Sequence, residues 1–293
     1  MLRVERVSKT YRVGAFGGGK LQAVRDVSFD VKPGEVLSLI GESGSGKSTI
    51  GRMILRLLLP TTGTISFDDK DVASLHRRDL KEYYRRVQGV FQDPFSSYNP
   101  IFKIDRIFSM IHTEFFPDVD HDTWDAKLTK TIESVSLSPG EVLGKFPHQL
   151  SGGQLQRLLV ARALLLDIEY LVADEIISML DASTRIDVLN LLGDLKDRGL
   201  GIVFITHDLS LGNYISDTTI ILRQGCIVEM GATEKVFGDA RHPYTQSLLD
   251  SVPPLHGKWS EYTPAPTANG HGPEGVDAPE LVSVGDDHLV AAH

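Results

Sequence analysis

A chain of 293 residues with a single cysteine, Cys226, can bury a sizeable core, and it excludes an internal disulfide or a zinc or iron–sulfur site built from several of its own thiolates. A formal net charge of −9 argues against nucleic acid as the main partner, and the local cluster His76-Arg77-Arg78 reads better as a solvated helix face. The opening MLRVERVSKTYRVG holds no hydrophobic signal core and no uninterrupted run of about 18 apolar residues occurs, so neither export nor a membrane span is expected, and the cysteine usage suits the cytoplasm.

In chain order, LRVERVSKTYRV and LQAVRDVSFDV read as strands of an antiparallel layer turned at Gly17-Gly18-Gly19. A short apolar strand, Val36–Ile40, then runs into GESGSGKS, Gly41 to Ser48, and a helical pattern follows over Ser48–Leu59. The octet fits G-x-x-x-x-G-K-[ST] in the strand–loop–helix setting the pattern requires. Gly41, Gly44 and Gly46 allow backbone N–H groups to curl into an anion-binding nest, and the helix N-terminus adds positive dipole. Lys47 would reach the β- and γ-phosphates and the Ser48 hydroxyl would ligate Mg²⁺; Ser43, Ser45 and Thr49 complete the nucleotide-binding set. The bland alternative, a flexible Gly/Ser turn before a helix, does not account for the flanking strand. ATP or GTP binding is expected.

From about Asp93 to Asp167 the strand signal fades, and helical stretches with acidic and aromatic residues predict an inserted helical subdomain. Near its end, LSGGQ reads physically as a capping box, Ser151 capping a helix over Leu155–Leu166 and Gln154 reaching back. Apolar strands at Tyr170–Ala173, Gly201–Ile205 and Thr219–Leu222 alternate with a helix at Ser183–Lys196, which predicts α/β with a mostly parallel sheet. The strand at Tyr170 ends in adjacent carboxylates, Asp174 and Glu175, whose paired charge is costly beside an apolar run. Taken alone they suit a solvated strand end. With a phosphate loop in the same chain, Asp174 can hold Mg²⁺ through water and Glu175 can polarise the water that attacks the γ-phosphate. Cys226 falls in a hairpin turned at Gln224-Gly225, a packing position. From Pro253 the composition shifts to Pro, Gly and small polar residues, a linker, and LVSVGDDHLVAAH recovers alternation enough for a small docked strand.

The letters LSGGQ, lying between a phosphate loop and an Asp-Glu strand end, resemble the signature of ABC transporter ATPases. The resemblance covers roughly Leu2 to Pro254 and implies a P-loop NTPase core with an N-terminal antiparallel β layer and an inserted helical subdomain. It further implies that Gln92 senses Mg²⁺ and the attacking water, that His207 contacts the γ-phosphate, and that Tyr11 stacks on adenine, favouring ATP. Ser178 to Asp181 resemble the loop that crosses the dimer interface. In the family, two ATPase subunits pack head to tail, and Ser151, Gly152, Gly153 and Gln154 of one meet the γ-phosphate held by the other. The stretch DPFSSYNPIFKIDRIF would then grip two membrane permease subunits, placing the chain at the cytoplasmic face of the membrane.

Within the family, QDPFSSYNP and RHPYTQSLLDSVP look most like the ATPases of oligopeptide and dipeptide importers, fed by an extracytoplasmic binding protein. Those relatives often carry tail cysteines for an iron–sulfur cluster; here Ala292 stands where the last is expected, so no cluster is expected. A second departure is Ile176, where the family usually has proline after Asp-Glu. The resemblance thus predicts an ATPase domain over residues 1–252, with its helical subdomain at about 93–167, and a tail over 253–293. Its cargo is peptide, with oligosaccharides or nickel as alternatives, beside a heterodimeric ATPase partner. A subunit that clamps ATP with a slow or degenerate catalytic site is the other alternative, and a soluble ABC protein acting on ribosomes or DNA ranks last.

Overall fold

The computed structural model describes residues 1–13, 19–251, 278–285 and 287–292. Gly17 and Gly18 of the expected turn and the expected linker from Pro253 lie outside them. The chain divides into two compact units, Met1–Leu75 with Val203–His293, and His76–Ile202.

The first unit begins with β1 (Leu2–Val13) and β2 (Gly19–Val31), paired antiparallel as expected from their alternation. The fully buried β3 (Val36–Ile40) leads through the phosphate loop to α1 (Lys47–Ile54). The helix stops short of the expected Leu59. Arg56 takes φ 51°, its N–H bonds to Met53 O, and the Leu57 N–H bonds to Arg52 O. This is the Schellman closure normally served by glycine, and an arginine there gives no sequence warning. β4 (Thr62–Phe67) and β5 (Lys70–Asp71) complete a four-stranded sheet in the order β2-β1-β4-β5.

The second unit opens with α2 (Arg77–Arg86) and β6 (Val87–Val90). It continues through α3 (Asp105–Phe115), α4 (His121–Ser134), α5 (Pro139–Val142) and α6 (Gly152–Leu164) to β7 (Tyr170–Asp174) and α7 (Ala182–Asp197). β6 and β7 pair in parallel, Val87 opposite Tyr170. The α4 face of Trp124, Leu128 and Ile132 is buried, at the 3.6-residue spacing that puts them on one stripe, and α4 packs on α6. The half-buried Arg162 of α6 donates to Gly89 O of β6 at 2.9 Å, tying helix to strand. Asp120 and Asp181 cap α4 and α7 by accepting from the N3 backbone N–H groups.

The chain returns to the first unit at Val203, within β8 (Gly201–Thr206), and continues with α8 (Leu209–Ile215), β9 (Thr218–Arg223) and β10 (Cys226–Ala232). It ends with α9 (Thr233–Gly238), α10 (Pro243–Asp250), β11 (Leu281–Gly285) and β12 (His288–Ala291). These strands order as β11-β12-β10-β9-β3-β8. The β3–β9 pair is parallel, whereas β9–β10, β10–β12 and β11–β12 are antiparallel, so the sheet is mixed. The β9–β10 hairpin turns where expected: Gln224 (φ 49°) and Gly225 (φ 85°) give the left-handed pair that suits strand twist. The small docked strand expected at the C-terminus is a two-strand hairpin, β12 pairing with β10. Ile40, Leu209, Ile221, Val228, Val236, Tyr244 and Ala291 form a buried core cluster on this edge of the sheet. Among the described residues, no helix is long and apolar enough to cross a membrane.

Candidate functional site

The phosphate loop lies in the first unit between β3 and α1. Its glycines are dictated by close backbone approach. A Cβ on Gly41 would stand 2.2 Å from Leu222 O, and one on Gly46, at φ 104°, would stand 2.5 Å from Ala23 O. The loop is tied from behind to the β9–β10 hairpin: Gly225 N–H donates to Ser45 O at 3.0 Å and Arg25 N–H to Gly225 O at 2.9 Å. The first turn of α1 holds no acidic side chain and its N-cap, Gly46, offers no side-chain acceptor, a composition that suits an anion at the helix N-terminus.

Lys47 is only 4% exposed, and its Nζ donates to Gly41 O at 2.7 Å, Glu42 O at 2.8 Å and Ser45 Oγ at 3.3 Å. A buried ammonium needs such acceptors, and they hold it over the mouth of the loop. Ser43 and Gly44 are exposed at the tip, Ser45 is buried, and Ser48 and Thr49 are half-buried on the first turn of α1. The cradle therefore fits a polyphosphate: small residues at its lip, oriented donors inside, one fixed cation.

Two further expected residues belong to the same unit. Tyr11 is half-buried on β1 opposite Leu21 of β2, with Lys9 Nζ 5.5 Å from its ring centre. His207 is exposed directly after β8. Its flanks are fixed: Asp208 N–H donates to Thr206 Oγ1 at 3.0 Å, and the Asp208 carboxylate caps α8 through Ser210 and Leu211 N–H.

The second unit carries the other expected residues. Gln92 is exposed just beyond β6, at the entrance to the helical segment. Asp174 ends β7 at 7% exposure, and Glu175 is half-buried at φ 50°. Glu175 O then accepts both the N–H of Ser178 at 3.2 Å and its hydroxyl at 2.9 Å, so the backbone turns sharply after the carboxylate pair. Ile176, at 1% exposure, is drawn into the core.

The turn after Ile176 is fastened to α7. Arg185 Nε donates to Leu180 O at 2.8 Å, and Asp181 accepts from Ser183 Oγ, Thr184 N and Thr184 Oγ1. Led by the Ser183 hydroxyl, these donors hold the Asp181 carboxyl well below the usual range.

Ser151 and Gln154 form the expected capping box: Gln154 N–H donates to Ser151 Oγ at 3.2 Å and Ser151 N–H to Gln154 Oε1 at 3.0 Å. Gly152 and Gly153 leave the end of α6 bare. A Cβ on Gly153 would meet Thr184 Cγ2 at 2.4 Å, so the first turns of α6 and α7 abut through a glycine. Sequence reasoning missed the residues behind the phosphate loop, Tyr244 foremost, because they are some 200 positions away in the chain.

Comparison with known proteins bears on this arrangement. The ABC transporter family model matches residues 24–178. The chain belongs to the ABC transporter family. ABC cassettes bind ATP and couple its hydrolysis to transport, and this chain is such an ATPase. A second model, the C-terminal region of oligopeptide/dipeptide transporters, matches residues 228–280 of this ABC protein. A putative peptide import ATP-binding protein of Brucella ovis is 42% identical over 255 residues, 86% of this chain and 78% of that protein. The oligopeptide transport ATP-binding protein OppF of Streptococcus pyogenes serotype M1 is 39% identical over 296 residues, 95% of this chain and 92% of that one. Among solved structures, the ABC cassette MJ0796, a dimer in a post-hydrolysis state bound to ADP and Pi, superposes with a TM-score of 0.71 at 27% identity, covering 80% of this chain and 99% of that one. The α/β ABC ATPase fold expected from the sequence is the fold found.

Proposed function

We propose that this ABC protein is the ATP-hydrolysing subunit of a peptide importer, working at the cytoplasmic face of the membrane beside a second ATPase subunit. The observation that carries the reading is the phosphate loop, a built anion cradle with a buried lysine, in a chain similar over 95% of its length to an oligopeptide transport ATP-binding protein. We take residues 1–252 as the cassette, about 93–167 as its helical subdomain and 253–293 as its tail.

In this reading, loop N–H groups and Lys47 bind the β- and γ-phosphates, and Tyr11 stacks on adenine. Glu175 orients the attacking water and takes its proton, which contributes on the order of 10²–10⁴-fold. Gln92 and His207 are each assigned to the γ-phosphate. The N-terminal end of α6, Ser151 to Gln154, serves the nucleotide of the partner subunit, because the positive dipole of a helix start with two glycines in its first turn suits a phosphate. Ser48, Gln92 and Asp174 offer the hard oxygen donors that suit Mg²⁺, which neutralises charge developing on the phosphate oxygens when bound.

A member of this family works with membrane permeases, and one face of the second unit suits that contact. Tyr98, Phe102, Ile104, Ile107 and Met110 line a cleft of about 360 Å³. The Tyr98 hydroxyl is buried there with no hydrogen-bond partner, and Ile101 beside it is 75% exposed. Short permease helices are the occupants we assign to the cleft, and peptide is the cargo we assign to the complex.

One observation favours a second reading, in which this subunit clamps ATP while its partner performs turnover. Glu175 sits at positive φ, outside the extended region that a proline at 176 would impose, so the base is aimed by a different backbone. Phosphate release from the assembled complex, with the partner's catalytic glutamate disabled, decides between them. Release that disappears in Glu175→Gln while ATP stays bound supports the motor; no release from either form supports the clamp.

A further inference from the structure

The most deeply buried carboxylate among the described residues of the first unit has no part in the mechanism above. Glu229 on β10 is 0% exposed, and an isolated charge there would be costly. Its Oε1 accepts from Arg241 N–H at 2.8 Å, its Oε2 accepts from His242 N–H at 3.1 Å, and His288 Nε2 of β12 lies 2.8 Å from Oε1. These bonds fix the turn that enters α10. His242 then caps that helix, its Nδ1 accepting from Tyr244 N–H at 3.1 Å, and Pro243 occupies the first helical position, where its missing donor costs nothing.

What the turn delivers is Tyr244. Its ring packs in the cluster with Ile40, the last residue before the phosphate loop, and lies 4.9 Å beneath the Arg223 guanidinium. Burial pushes its phenol up, so the oxygen can accept a hydrogen bond without becoming a buried anion. That oxygen stands 3.4 Å from Glu42 N, a long contact with the first peptide of the loop. The carbonyl of the same peptide, Gly41 O, is the one that holds Lys47 Nζ at 2.7 Å. A peptide following a glycine has little side-chain hindrance to rotation, so the groups at its two ends decide which way it faces.

We propose that Tyr244 is a positioning residue for the phosphate loop: its hydroxyl sets the orientation of the Gly41–Glu42 peptide, and Glu229 with His288 holds it in place. The proposal rests on reading Gly41 to Ser48 as the nucleotide site. The lock reaches the loop from the chain's two last described strands, so the C-terminal hairpin bears on nucleotide affinity without touching nucleotide.

The test is steady-state ATP turnover by the assembled complex, with binding of a non-hydrolysable ATP analogue, for wild type, Tyr244→Phe, His288→Ala and Lys47→Ala. Tyr244→Phe keeps the ring, its packing and its stacking, and deletes only the hydroxyl. KM and the analogue Kd are expected to rise ~2- to 10-fold, the effect of one net hydrogen bond, with kcat and Tm unchanged. His288→Ala is expected to raise them in the same direction. Unchanged KM and Kd in Tyr244→Phe overturn the proposal, as does a lower Tm or kcat at unchanged KM, which assigns the residue to packing. Lys47→Ala separates the two levels: if it still binds the analogue, the loop reading itself falls; if it does not and Tyr244→Phe binds normally, only the role of Tyr244 falls.

Discussion

At the scale of single residues, the phosphate loop is specified by what its backbone cannot tolerate. Gly46 combines φ 104° with a neighbouring carbonyl only 2.5 Å from where a Cβ would sit, so Gly46→Ala must strain the turn or displace β2. Positive φ on a non-glycine costs on the order of 1–3 kcal/mol, before the clash is counted. We expect Gly46→Ala to lose nucleotide affinity by more than tenfold while far-UV circular dichroism stays near wild type; normal affinity in titration calorimetry would show that the turn is not set by this glycine. These local demands explain why the loop is legible in the sequence: eight consecutive residues carry pattern and context together. Tyr244 is not legible in that way, since nothing near Gly41 signals a partner delivered from α10.

At the scale of elements, capping carries information that periodicity does not. The Ser151–Gln154 box could be read directly, because both ends of the cap lie within one turn, whereas the start of α7 was legible only as the onset of a helical pattern near Ser183, not through its Asp181 cap. The early stop of α1 could not be read, since its left-handed residue is Arg56 where glycine is usual. The Asp181 cap has a pH signature. Its donors hold the folded-state carboxyl below the unfolded value, so the stabilisation is complete above about pH 4, the usual carboxylate midpoint, and fades as pH falls further. The gap in Tm between wild type and Asp181→Ala is therefore expected to be constant from about pH 7 to 5 and to narrow towards about pH 3, modestly because the group is exposed. A gap that holds its size down to the lowest pH would remove the carboxylate's charge from the account. The same cap steadies Thr184, on which Gly153 rests, so α6 and α7 begin as one packed corner.

At the scale of the whole chain, the alternation of buried strands and helices was legible as an α/β protein, because fully buried strands such as β3 and β8 are short, continuous and apolar. The antiparallel edge was legible at the Gln224-Gly225 turn and as a small strand near the C-terminus, without its partner. The pairing of β12 with β10 joins segments separated by more than fifty residues, and no local pattern encodes it. The face that suits a permease has one more consequence, for life outside the transporter. Phe95, Ile101 and Met110 leave 50%, 75% and 59% of their surfaces in water, a grouping that a lone chain in solution hides against whatever it meets. Produced without its membrane partners, this subunit should self-associate as concentration rises, visible by light scattering, and Ile101→Ser with Met110→Ser should suppress that clumping while also abolishing assembly with the permease. A cell that makes more of this protein than it has docking places would then carry the excess as aggregate or clear it by proteolysis, so supply would be matched to the membrane by quality control.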